Sequence, residues 1–353
     1  MNFPNIKKSK KLASGSKRLF IAAYGFEDRS LGWVKYQKGQ GDILKDAILI
    51  KYLNPKGNNK IKQLNDNLQA LGVIHPSEIN YDLFSPHNIE SLIEKKFSKS
   101  IATYDEIIID ITAMTKFLIL ICLCNLDQYK GRLRIVYTEA MDYAPTKKAY
   151  FNSKEKLEES AKFPSRGFET ILRAKCLSSI RMQGQPAALV AFTSFNEQLI
   201  RHMLGTINPH RLLFINGKPP RNDYTWREIA TQEIHSKLID EYPTGNEIGT
   251  KKLLKRTAST LNYIETIEEL DKIYNIYGMY ERIIVAATGS KMQTVGLFFS
   301  KIIHPDIHIE YPTPDSYFVQ GMSIGIRKIH EIEIQRFSNF LSSLNRKRLV
   351  ESV

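Results

Sequence analysis

Two short turns carry most of the chemistry this sequence could perform. In the first, Asp110, Thr112, Thr115 and Lys116 close the run YDEIIIDITAMTK, residues 104–116; in the second, Thr288, Gly289, Ser290 and Lys291 close YERIIVAATGSK, residues 280–291. Hydroxyls, backbone amides at a helix N-terminus and a lysine ammonium are donors suited to phosphate or another anion. Gly289 permits a close backbone approach that a side chain would obstruct. The structural alternative is that Thr and Ser cap the following helices while Lys faces solvent. Two copies at matching positions favour the ligand reading. The copies differ, because Ala286 stands where the first has Asp110 and the second turn is one residue shorter. The first turn holds the only carboxylate, and TGSK has the better phosphate chemistry.

Further candidates follow the first strand of each half. Glu27, Asp28 and Arg29, with Ser30, could hold a ribose or phosphate or be plain surface charge. Ser194 and Asn196, with Thr193, are their uncharged equivalents and suit a base or ribose. Tyr137, Tyr143, Tyr311 and Tyr317 flank the last strands, where core packing is the default and base stacking the alternative. There is no GxGxxG, no GxxxxGK[ST], no GxSxG and no HExxH, and the eight histidines are scattered. No catalytic residue is assigned, and neither a cofactor nor a metal is expected.

The elements that position these turns repeat as well. LFIAAYGFED pairs with LVAFTSFNE, and AILIKYLNPKGN with RLLFINGKPPRN, in which Pro55 and Asn58 match Pro219 and Asn222. Helical patterns follow in both halves, at Ile61, Leu64, Leu68 and Leu71 and at Trp226, Ile229, Ile234 and Leu238. SPHNIESLIEKKF parallels STLNYIETIEELDKIY as a capped helix before the repeated strand. Alternating β and α elements predict an α/β fold of two tandem Rossmann-like, doubly wound parallel-sheet domains related by internal duplication. The expected boundaries are domain 1 at 1–150, a helical linker at 151–185, domain 2 at 186–325 and a C-terminal helix at 326–353, its charged amphipathic pattern running from Ile329 to Leu349.

The chain has 353 residues, with 50 Lys and Arg against 37 Asp and Glu, a net charge of +13. That surplus favours polyanionic partners such as nucleotides, DNA or RNA. Cys122, Cys124 and Cys176 are too few for a disulfide framework and lack zinc-site spacing. The apolar run at 117–126 is too short to cross a bilayer, and the basic N-terminus leads into a strand. No membrane association is expected, and the location expected is cytoplasmic.

DITAMTK fits the Asp-x-Ser/Thr-x-x-x-Lys/Arg pattern of CRISPR-associated Rossmann-fold (CARF) sensor domains, and ATGSK is similar to the Thr-Gly-Gly-Thr-Lys variant of that turn. The nine-element order resembles the same family. The resemblance implies a domain that binds a cyclic oligonucleotide in prokaryotic antiviral defence and sometimes cleaves the ring. By that carry-over Thr112, Lys116, Thr288 and Lys291 contact phosphate and ribose. The first-strand turns YGFEDRS and FTSFNEQ depart from the family, and no R-x4–6-H or Asp…Glu-x-Lys effector motif is found. Three readings stay open: a nucleotide or oligonucleotide sensor with an effector on a partner protein, a metal-independent phosphodiesterase of ring-nuclease type, and a basic nucleic-acid-binding scaffold.

Overall fold

The computed structural model describes residues 2–53, 60–82, 88–152, 165–242, 245–249, 253–317 and 322–351. The chain divides into two compact units, Met1–Thr146 with Val319–Val353, and Lys147–Phe318.

The first unit begins with β1 (Lys7–Lys8), β2 (Arg18–Ala23), α1 (Gly32–Gln37), β3 (Asp46–Leu53), α2 (Ile61–Gln69) and β4 (Ser77–Asp82). It continues through α3 (Ile89–Ser100), β5 (Glu106–Asp110), α4 (Lys116–Cys124), β6 (Arg132–Thr138) and β7 (Asp142–Tyr143). The second unit opens with α5 (Lys147–Asn152), β8 (Ser165–Arg166) and β9 (Thr170–Leu172). Then come β10 (Ala187–Phe192), α6 (Gln198–Ile207), β11 (Arg211–Lys218), α7 (Trp226–Ile234), α8 (Ser236–Glu241) and β12 (Thr257–Ser259). It ends with α9 (Tyr263–Tyr277), β13 (Arg282–Ala286), α10 (Lys291–Ile303), β14 (His308–Thr313) and β15 (Ser316–Tyr317). The chain then returns to the first unit as β16 (Ser323–Ile324), β17 (Ile329–Ile334) and α11 (Phe337–Glu351).

The first sheet runs β1-β17-β6-β5-β2-β3-β4, and its five parallel strands β6-β5-β2-β3-β4 are flanked by antiparallel β17. The second runs β12-β11-β10-β13-β14-β9, with β9 antiparallel at the same edge. In each, the first parallel strand lies centrally, the next two are added on one side, and the fourth and fifth on the other. This is the Rossmann-like order 3-2-1-4-5. Strands such as β2 and β5 are buried at every position, as parallel strands covered on both faces must be. The helices after the two turns are also interior ones: residues Phe117 to Leu123 of α4 are all buried, as are most of α10.

Several sequence expectations give way to tertiary context. The predicted helical linker at 151–185 carries β8, β9 and a 3-10 turn at Lys175–Leu177, and β9 extends the second sheet by pairing with β14; residues 153–164 lie outside the described residues. The region 329–349, read as one helix, starts as β17, because IHEIEI alternates with a period of two. Glu331 on β17 accepts from Arg134 on β6 at 2.7 Å, and Arg134 also holds Glu106, which holds Arg18, at 2.8 Å each. This buried charge ladder ties the C-terminal strand to the first unit, so the boundaries follow contacts and not a simple halving. The 226–238 pattern is broken at His235 into α7 and α8, and α9 is capped by Asn262, since Ser259 belongs to β12. Pro55, Asn58 and Ser85 lie outside the described residues.

Candidate functional site

A doubly wound sheet opens a crevice at the carboxyl ends of its strands, where the order reverses between the first and fourth strands. In the first unit the turns after β2 and β5 meet there. A Cβ built on Gly25 would stand 2.8 Å from the Cβ of Ala113 and of Ser30, so only glycine allows this approach.

Most side chains of the first turn hold the turn itself. Asp110 Oδ1 accepts from the Thr112 amide at 2.9 Å and caps a 3-10 turn at Ile111–Ala113. Thr112 Oγ1 accepts from the Thr138 amide at 2.9 Å, fastening the end of β5 to β6. Thr115 is the N-cap of α4, its Oγ1 accepting from Leu118 N at 3.2 Å. Tyr52 of β3 donates to the Ala113 carbonyl at 3.1 Å and accepts from the Thr115 amide at 2.9 Å. Lys116 is the first residue of α4 and half-buried by surface, and burial of its ammonium lowers the pKa from 10.5 to about 8.

The second turn is built the same way with other atoms. Thr288 Oγ1 donates to the Phe192 carbonyl at 2.8 Å and accepts from the Phe192 amide at 3.0 Å, joining β13 to β10. Ser290 and Gln293 form a reciprocal capping box, with Ser290 Oγ also donating to the Thr260 carbonyl at 2.7 Å. A Cβ on Gly289 would lie 2.5 Å from Gln293 Oε1 and 3.0 Å from the Phe192 ring. The glycine therefore serves packing before any ligand. Lys291 is again the first helical residue and half-buried.

The turns after the first strands contribute less than the sequence suggested. Arg29 is buried, with Nη2 2.8 Å from Glu27 and Nε 3.1 Å from Ser323 Oγ, while Ser323 also donates to Glu27. The Arg29 guanidinium lies 5.8 and 5.5 Å from the rings of Tyr137 and Tyr143, whose hydroxyls are 3.1 Å apart. Glu27 and Arg29 thus bond each other inside the unit. Asp28 is exposed and paired with Lys60 at 2.7 Å, which lowers its pKa. In the second unit, Ser194 Oγ bonds the Asn196 backbone at 3.3 Å, and Asn196 Nδ2 donates to the Gly167 carbonyl at 3.1 Å. Next to Asn196, Arg227 stacks 4.6 Å from the Phe195 ring and 5.3 Å from Trp226. Tyr311 is buried, and the Tyr317 side chain lies outside the described residues.

The sequence reading missed Tyr52, Lys60, Gln293 and Ser323. Only Gln293 had a visible signal, the Ser-x-x-Gln spacing of a capping box. A separate groove of about 760 Å³ in the second unit is lined by Arg173, His210, Arg282 and Glu310 among others, and contains none of the turn residues. Among the described residues no group of three or more His, Cys, Asp or Glu is placed to hold a metal ion, and no helix is long and apolar enough to cross a membrane.

Neither a family model nor a curated protein matches the sequence. Among solved structures, Csm6 of Enterococcus italicus, bound to cyclic hexa-2'-fluoro-hexa-dAMP, is similar at 12% identity and a TM-score of 0.27, over 40% of this chain and 38% of that one. Can2 of Sulfobacillus thermosulfidooxidans, in complex with cyclic tetra-adenylate, aligns at 9% identity and TM-score 0.24 over 83% and 95%. AtPrR2 in apo form aligns at 11% and 0.20 over 75% and 87%. Likenesses this loose carry no functional argument, and the site has to be read from its own residues.

Proposed function

We propose that the protein binds a nucleotide or cyclic oligonucleotide through its phosphates at a carboxyl-edge turn, with Lys116 the principal contact in the first unit and Lys291 in the second, each unit a separate candidate site, and we read the two units as copies of one domain. The observation that carries this reading is the position of the two lysines. Each is the first residue of a buried helix, where the positive end of the helix dipole opposes a cation by roughly 0.3–1 kcal/mol. Lys116 additionally loses hydration. A bound phosphate would reverse both costs at once, since the helix amides and the ammonium then face an anion. The Arg227 and Phe195 pair beside Asn196 supports a base-stacking contribution. Asp110, Thr112, Thr115, Ser194, Asn196, Thr288, Gly289 and Ser290 act in this reading by shaping the turns. The resemblance to CARF sensors supports a role in antiviral defence with the effector on another protein.

Calorimetric titration of cyclic tetra-adenylate, cyclic hexa-adenylate and AMP into wild type, Lys116→Met and Lys291→Met tests the proposal. Binding to wild type that weakens at least tenfold in one of the variants is expected. No heat with any of the three ligands, or equal affinity in all proteins, would sink it. A cleaving version has one observation in its favour, a Lys116 pKa of about 8, within the range useful for proton transfer. Chromatography of the products after incubation without metal separates cleavage from binding.

A further inference from the structure

The N-terminal arm of the first unit forms a second surface that the switch-point reading does not use. Lys7, Lys8, Lys10 and Lys11 are all exposed, and none is in an ion pair among the described residues. Exposed lysines are ordinary, but this arm is fixed in place. β1 pairs with β17, and the Ser9 amide donates to the Ile329 carbonyl at 2.9 Å, with Ser9 itself buried. Gln37 clamps the next residues, its Nε2 donating to the Lys10 carbonyl at 2.7 Å and its Oε1 accepting from the Leu12 amide at 3.0 Å. Lys11 Nζ donates to the Lys38 carbonyl at 3.0 Å and lies 5.3 Å from the Tyr36 ring. Lys35 and Lys38 of the neighbouring α1 region are exposed as well. The carboxylate nearest in register, Glu331 opposite Lys7, is turned into the buried ladder with Arg134 and does not neutralise the arm.

We propose that this arm, with the end of α1, binds the phosphate backbone of a nucleic-acid strand. From Lys7 to Lys11 the backbone spans at most about 14 Å. Neighbouring side chains of an extended arm point in opposite directions, so of the six exposed lysines of the arm and the α1 end, Lys7, Lys8, Lys10, Lys11, Lys35 and Lys38, we assign about four to phosphate contacts. Because the arm is held by hydrogen bonds in the unbound protein, little ordering entropy is lost on binding. Tyr36 adds an aromatic face beside the cations, suited to an unpaired base. The surface is independent of the nucleotide site, and its failure would leave that proposal standing.

Fluorescence anisotropy of a labelled 20-base-pair DNA duplex and a labelled 20-nucleotide RNA, measured from 50 to 200 mM salt, provides the test. Four phosphate contacts predict a slope of about −3.6 in log affinity against log salt on the duplex, about a hundredfold loss across that range. Lys8→Gln/Lys10→Gln should bring the slope to about −1.8, whereas Lys95→Gln/Lys99→Gln on α3, with the same change in net charge, should leave it unchanged. Lys7→Gln/Lys8→Gln, which leaves the Gln37 clamp alone, serves as a second variant if the first melts early. Absence of binding to both probes, or equal weakening by the α3 variant, would overturn the assignment. So would binding only to vesicles of 30% phosphatidylserine in phosphatidylcholine.

Discussion

Replacing Lys116 by Met should make the protein more stable while weakening the proposed phosphate binding, and the size of the gain can be worked out. In the folded state burial holds the ammonium at a pKa of about 8 against 10.5 in the unfolded chain. Each pKa unit is worth 1.36 kcal/mol, so the charged lysine costs the folded state up to about 3.4 kcal/mol at pH 7. Met keeps the apolar stem and drops the charge, at the loss of about 1 kcal/mol of the amine's hydrogen bonding. A net stabilisation of about 2 kcal/mol follows at pH 7. The sign of the pH dependence is set by the depressed lysine pKa. Below about pH 8 both states bind the proton and the cost is complete. Between about 8 and 10.5 the unfolded state holds the proton that the folded state has released, so wild-type stability rises with pH relative to the variant. Above 10.5 the electrostatic difference is gone. Urea unfolding of both proteins at pH 7, 8, 9 and 10 measures this directly. A variant less stable than wild type at pH 7, or a difference that does not change with pH, would refute the argument that Lys116 sits in dry surroundings. By the same titration, phosphate binding should weaken above pH 8 in wild type and show no such inflection in Lys116→Met.

Other substitutions separate scaffold from site. Arg29→Met strands the Glu27 carboxylate inside the first unit and should cost about 3–5 kcal/mol, while Arg29→Met/Glu27→Gln should recover most of it; urea midpoints decide, and additive losses would contradict the pairing. Ser290→Ala removes the N-cap of α10 and should destabilise the second unit by about 1–2 kcal/mol, seen in thermal melting, with ligand affinity changed far less than by Lys291→Met. Gly289→Ala meets Gln293 and Phe192 and should cost about 1–3 kcal/mol; a variant as stable as wild type would show that the turn has room to spare.

Strand and helix alternation was legible because buried parallel strands such as IIID and helices such as KFLILICLC are continuous apolar runs with capping residues between them. The carboxyl-edge turns were legible for the same reason, since residues closing such strands lie at the crevice by topology. What the individual hydroxyls do was not legible. Thr112 bonds an amide of β6, Thr288 bonds β10 and Ser290 reaches the Thr260 carbonyl, partners 26, 96 and 30 residues away. Arg29 likewise finds Ser323, 294 residues on. The sequence by itself therefore determined the α/β alternation, the positions of the two turns and the excess of positive charge. The tertiary structure alone decided that Ile329–Ile334 joins the first sheet, that Glu27 is committed to Arg29, and that the hydroxyls of Thr112, Thr288 and Ser290 bond distant backbone groups. The physical reason is that local pattern reports burial and backbone preference along the chain, whereas hydrogen-bond partners and desolvation depend on which distant strands lie side by side.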